Sequence, residues 1–303
     1  MKAKKWLLGV FLLVGGMMLA QVKPEKTGIS NEEMQSRIAK SVNEKIKSAE
    51  IKETKEAVEI LKETQDVISD LAQNKKDDAQ KKLAEIIGKL EVLLVQKPEL
   101  AFIPVDATVQ IKDAVVDINT VNTIMDQVKK DIDRGYYQAA KNTLNTLSSE
   151  MVIQTAYLPM GTYPQAMKLA AKLMSEDKTK EAAVVLVNAL QTLVIGEEIL
   201  PLPVLRAEEY VKEAVTVVQN DKKFKEKQAL LTALLNAAEY QLDLAEAMGY
   251  GKKDKEYKDL HQAIETLKTY VSKGRESRSK KALNDLKEEI RKFKERLFYK
   301  TKK

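Results

Sequence analysis

From Asn31 onward, apolar side chains return every three or four residues: Ile38, Val42, Ile46 and Ala49, then Val58, Leu61, Ile68 and Leu71, with charged residues between them. A stripe of this period suits an α-helix with one buried face, because a half-buried strand alternates every second residue. The pattern predicts one or two long helices over 31–74, another over about 75–96 that stops before Pro98, and a third from near Val105 to Arg134-Gly135. After Pro203 it predicts a helix to about Asn220, one from Phe224 to Met248, and a last pair divided at Gly274. Charged residues at 32% with aromatics at only 5% agree with this, since such a composition builds long helices more readily than sandwiches or barrels.

The helices come in related pairs. "NKKDDAQKKLAEI" from Asn74, "DRGYYQAAKNTLNTL" from Asp133, "SEDKTKEAAVVLVNAL" from Ser175 and "SKGRESRSKKALNDL" from Ser272 each place a polar turn before an Ala and then a Leu on the next helix. Their spacings of about 60, 43 and 100 residues are too uneven for a solenoid, which keeps a fixed period. The expected fold is therefore all-α: a bundle of helical hairpins with long helices and proline-marked apolar connecting segments, not a regular superhelix.

Those connections are the oddity. Gln96 to Asp106 is one proline-containing apolar stretch; Met151 to Met160 and Ile199 to Leu205 are apolar, bear proline, and are too oily to lie fully in water. Three readings are open: they wrap the bundle of one subunit; they form the contact of a homo-oligomer, with Tyr136, Tyr137, Tyr157 and Tyr163 as anchors; or they line a pocket for an apolar ligand or client segment, with Arg206 as its polar group. Thr162 is a candidate cap for the helix after the second segment, with Pro164 in its first turn.

The first residues read as an export signal. Met1-Lys-Ala-Lys-Lys5 is a positive start, Trp6 to Leu19 an apolar run, and Ala20 a small residue before polar sequence. The run is short for a membrane span, and the expected location is the periplasm, with an uncleaved N-terminal anchor as the alternative. The division of the chain is then 1–20 signal peptide, 21–30 disordered linker, 31–272 helical domain and 273–303 basic amphipathic helix. Without 1–20 the net charge falls from +6 to +3; residues 273–303 carry a surplus of +8 and residues 21–272 carry −5. A basic tail on an acidic body suits a solvated helix docked on the bundle, or contact with an anionic membrane surface; export argues against a nucleic-acid partner.

Three of these stretches, "DRGYYQAAKNTLNTLSSEMVIQTAYLPMGTYPQAMKLAAKL", "ALQTLVIGEEILPLPVLRAEEYVKEA" and "QLDLAEAMGYG", together resemble the YfdX family of exported, mostly helical bacterial proteins, over about residues 30–270. The resemblance implies a role in acid and envelope stress tolerance and an oligomeric protein without established enzymatic activity. It supplies no catalytic motif.

The residues themselves offer little chemistry. His261 is the single histidine and sits beside Leu260 and Ile264 on an apolar stripe, as a half-buried packing residue does. With no cysteine and one histidine, thiolate sites, zinc triads and di-iron helices are excluded. Glu208-Glu209, or Asp113 with Asp117, are the carboxylate pairs available to a hard cation, though such pairs arise routinely in so charged a chain. No phosphate-cradling glycine loop or nucleophile elbow occurs. The expectation is thus a non-enzymatic, self-associating stress protein with no metal or cofactor, in which acid exposes the apolar segments to clients. A small-molecule or lipid binding module using the same segments is the alternative.

Overall fold

The computed structural model describes residues 13–14, 27–49, 52–219, 224–251, 255–297 and 299–302. The proposed signal peptide lies outside these residues except for Leu13–Val14, as does the linker up to residue 26. Along the chain the described elements are β1 (Leu13–Val14), α1 (Asn31–Ala49), α2 (Lys52–Ala72), α3 (Lys76–Gln96), β2 (Phe102–Lys112), α4 (Ile118–Asp133), α5 (Tyr137–Asn145) and β3 (Glu150–Pro159). There follow α6 (Tyr163–Ser175), α7 (Thr179–Gln191), β4 (Val194–Pro201), α8 (Leu202–Gln219), α9 (Phe224–Ala247), α10 (Lys255–Ser272), α11 (Glu276–Arg296) and β5 (Tyr299–Lys302). The protein is mostly α, as the periodicity predicts.

The apolar connections run largely into strands: Phe102 to Asp106 lies in β2, Met151 to Pro159 in β3 and Ile199 to Pro201 at the end of β4, while Leu202 to Leu205 open α8. β2, β3 and β4 form a small antiparallel sheet, to which β5 adds antiparallel on β4 and β1 parallel on β2. This corrects the expected helix from Val105: residues 102–112 are extended, and α4 starts only at Ile118, with the Asp117 carboxylate accepting the Thr120 amide at 2.7 Å. The reason is visible in β2, where Ile103, Val105, Ala107 and Val109 point inward at every second position. Ile111 lies at the end of that strand and Val115 in the loop after it. Proline is tolerated because it stays near strand ends or at an irregularity. Pro159 and Pro201 close β3 and β4, and the register against β3 shifts between Pro104 and Asp106. Gly196 of β4 lies under the Tyr157 ring of β3; a Cβ there would come within 2.9 Å of the ring.

Each strand after β1 follows a helical hairpin, so the chain repeats as helix, helix, strand: α2–α3–β2, α4–α5–β3, α6–α7–β4 and α10–α11–β5. The α8–α9 pair is inserted before the last unit, which accounts for the longest spacing between turns. Four turns are built alike. Asn74, Gly135, Asp177 and Gly274 adopt positive φ between 57° and 79°. In each, the next amide donates to the carbonyl five residues back: Lys75 to Asp70, Tyr136 to Asp131, Lys178 to Leu173 and Arg275 to Tyr270, at 2.8–2.9 Å. This double-bonded helix ending satisfies carbonyls that the helix leaves open, and it needs one residue in the left-handed region.

The hairpins pack by one rule. α2 meets α7 and α3 meets α6, so the first helix of each pair faces the second helix of the other. α8–α9 and α10–α11 do the same, with α8 on α11 and α9 on α10. Each foursome has its own core. Ile60, Leu83, Ile86, Met167 and Leu186 fill one, closed by Ile103, Leu158 and Met160 from one end of the sheet. Leu205, Val211, Leu231, Leu235, Ile264, Leu286 and Phe293 fill the other, with Val109, Met151, Ile153 and Leu200 from the opposite end. Burying one such side chain contributes about 1.5–3 kcal/mol. The basic helix α11 belongs to this second core: Leu283, Leu286, Ile290 and Phe293 are buried, and the Phe293 ring meets Tyr257 edge-on at 4.7 Å.

Candidate functional site

The α4–α5 hairpin has the same turn as its three counterparts but lacks their cover. Counted from the positive-φ residue, the position three before it is Leu71, Met174 and Val271 in the packed hairpins, all buried, and Ile132 in α4–α5, which is 48% exposed. The position nine after it is Leu83, Leu186 and Leu283, again buried, and Leu144, which is 42% exposed. The two residues following the turn are Lys75-Lys76, Lys178-Thr179 and Arg275-Glu276 elsewhere. Here they are Tyr136 and Tyr137, 61% and 66% exposed. Apolar side chains thus stand open along one face and at the tip of this hairpin.

Its base is anchored. Val121 and Leu147 pack against Leu244 and Met248 in a small separate cluster, and Val128 of α4 and Ala140 of α5 are buried. The hairpin is therefore held by its foot on α9, with an apolar face presented beyond it.

The remaining sequence candidates are used inside the fold. Tyr163 is fully buried, and its hydroxyl donates to Thr64 Oγ1 at 2.9 Å; burial pushes its pKa up to about 12. A side chain so enclosed is unavailable as an oligomer or ligand contact. Tyr157 lies half-buried across Gly196. Arg206 pairs with Asp113 at 2.5 Å, and Asp113 also accepts from Ser149 Oγ at 2.9 Å. The Ser149 amide donates to the Tyr250 hydroxyl at 3.0 Å, and Tyr257 donates to the Tyr250 carbonyl at 2.5 Å. Burial pushes the Tyr250 hydroxyl up to about 12 as well. This network ties the ends of β2 and β3 to the start of α8 and the α9–α10 connection.

The carboxylate pairs considered for a cation are also engaged. Asp117 caps α4, as above. Glu208, on α8, is buried and bonded by Lys294 of α11 and by Lys212 at 3.1 Å, and Glu209 accepts from Lys212 at 2.7 Å. Burial works against the Glu208 carboxylate, but the two lysines outweigh it and hold its pKa below the usual range. His261 lies between α9 and α10, with Nε2 3.2 Å from Asp243 and Nδ1 3.8 Å from Glu239. Burial raises the Asp243 pKa, with His261 opposing and Glu239 adding to the shift.

A cleft of about 870 Å³ opens between α1, β4, α8 and α11. Val42, Leu200 and Leu205 give it an apolar floor, and Lys45, Glu198 and Arg291 line its sides. No helix among the described residues is long and apolar enough to cross a membrane.

The architecture is that of a mostly helical protein made from helix, helix, strand units, and comparison with known proteins finds a family that part of the chain resembles. Residues 60–199 match the model of the YfdX protein family, somewhat less than half of the chain. The match runs from within α2 to near the end of β4 and so spans the first three units, with the exposed hairpin at their centre. Among solved structures, YfdX from Salmonella Typhi is similar at 13% identity and a TM-score of 0.34, covering 48% of this chain and 91% of that one. No curated protein matches the chain.

Proposed function

We propose that this protein works by contact: an exported, non-enzymatic helical protein that self-associates and contributes to envelope and acid stress tolerance, as its YfdX resemblance implies. The observation that carries the reading is the open α4–α5 face. Ile132, Tyr136, Tyr137 and Leu144 are the exposed members of a pattern that is elsewhere buried at its apolar positions and charged or polar at its turn positions. Aromatic and aliphatic side chains clustered on a rigid element are what protein interfaces use.

Acid bears on the same molecule through the seam between α8 and α11. Glu208 has a lowered pKa, so its stabilising contribution is present above the ordinary value near 4.5 and is lost as pH falls through its lower folded value. Protonation there removes the counter-charge of Lys294 and one of the two carboxylates bonded to Lys212, and loosens the helix that seals the second core. Sedimentation at pH 7 and pH 4, with uptake of an apolar dye measured alongside, tests the reading. Association at pH 7 with dye uptake rising at pH 4 is expected; a monomer that takes up no dye at either pH would count against it.

The cleft beside β4 favours a second reading, in which a small amphiphile sits on Val42, Leu200 and Leu205 with its charged group near Arg291 or Lys45. Mass spectrometry of the denatured protein for a co-purified small molecule tests that.

A further inference from the structure

We infer that the α4–α5 hairpin docks on the same hairpin of a second copy of this chain, α4 of each against α5 of the other, around a two-fold axis; this rests on the self-association proposed above and names its surface. Both four-helix groups within the chain are made by one hairpin receiving another, and in both the first helix of one faces the second helix of the other. That pairing rule is unchanged when the two hairpins are exchanged. Two unlike hairpins obey it with approximate two-fold symmetry, and two identical hairpins obey it with true two-fold symmetry, giving a closed, self-complementary interface. Among the described residues, α4–α5 is the hairpin of the four with this turn that lacks the two-helix pairing with a second hairpin; beyond its own two helices it meets α9, through α4 at its foot.

The side chains agree with that occupant. Ile132 and Leu144 occupy the positions that the packed hairpins keep buried, so a second hairpin would cover in them what it covers in Leu71 with Leu83 and in Met174 with Leu186. Tyr136 and Tyr137 replace the charged or polar residues of the other turns, which suits a tip that is enclosed rather than solvated. Charge does not oppose self-docking. From 126 to 141 the hairpin carries Lys129, Lys130, Arg134 and Lys141 against Asp126, Asp131 and Asp133, so both signs meet across a two-fold.

The chain contains no cysteine, so one introduced thiol reports on its own position alone. The full chain is compared with Ile132→Glu/Leu144→Glu by sedimentation over a range of concentrations at pH 7, with circular dichroism confirming that both are folded. Because both positions are exposed, the variant keeps its fold while its dimer dissociation constant rises on the order of 100-fold or more. Separately, Leu144→Cys treated with a short bismaleimide gives a covalent dimer, whereas Gln35→Cys on the exposed face of α1 does not. A wild-type oligomer that survives Ile132→Glu/Leu144→Glu, or one in which Leu144→Cys fails to cross-link, overturns the proposed face and leaves self-association standing. A wild-type chain that stays monomeric overturns both. Maleimide reactivity of Leu144→Cys in that monomer then separates a face open to a client protein, which reacts, from one shielded by residues 1–26, which does not.

Discussion

Two hairpins with the same turn and the same spacing meet different fates. α2–α3 is pressed against α6–α7 and hides Leu71 and Leu83, whereas α4–α5 stands on its foot and leaves Ile132 and Leu144 open. The contrast teaches that an apolar stripe is a demand for cover, not a guarantee of it, and that the uncovered copy marks where a partner belongs.

The contrast breaks most sharply under truncation. Leu83→Ala costs about 2–5 kcal/mol in urea unfolding because it opens a cavity in a closed core. Leu144→Ala, measured on the dispersed monomer, stays within about 0.5 kcal/mol. Equal losses at the two positions would mean that the α4–α5 face is covered within the chain.

Next comes the charged seam. Glu208→Gln removes the carboxylate bonded to Lys294 and one of the two bonded to Lys212, and lowers stability at pH 7 by about 3 kcal/mol. The loss shrinks as pH falls from the ordinary carboxylate value through the lowered folded value, below which the wild-type group is protonated too, and a loss independent of pH would refute the assignment. Asp243 has the opposite sign: its pKa is raised, so Asp243→Asn flattens a gain on mild acidification rather than a loss.

A smaller effect sharpens the core side of the comparison. Tyr163→Phe removes a buried hydrogen bond to Thr64 and costs about 1 kcal/mol by thermal or urea unfolding, with no change in sedimentation. The smallest concerns the shared turns. Asn74→Gly and Asp177→Gly relieve a left-handed side chain and change stability by about 0.5 kcal/mol in the favourable direction. Gly274→Ala, at φ 66°, moves it about 1 kcal/mol the other way.

Much of this was legible along the chain. The period of three and four placed α1 to α3 and α8 to α11 close to where they lie, and the repeated turn with its Ala and Leu picked out the four hairpins that share one ending. Tyr136 and Tyr137 stood out among the turns and are exposed, whereas Tyr163 and Arg206 resembled surface candidates and are enclosed. Nothing local separates them. Whether a tyrosine after a proline-marked segment faces water depends on Thr64, ninety-nine residues earlier.

The sequence by itself determined the helices, their pairing into hairpins and the stripe each hairpin must bury, because these follow from spacing within a few turns of one element. It also marked the apolar connections as segments in need of shelter. Only the tertiary structure decided that these connections shelter one another as strands, since β pairing joins residues far apart and a short apolar run fits helix or strand equally well. It likewise decided which hairpin was left over. Leu83, Leu186 and Leu144 are the same residue in the same local pattern, and the difference between them is set by what the rest of the chain brings alongside.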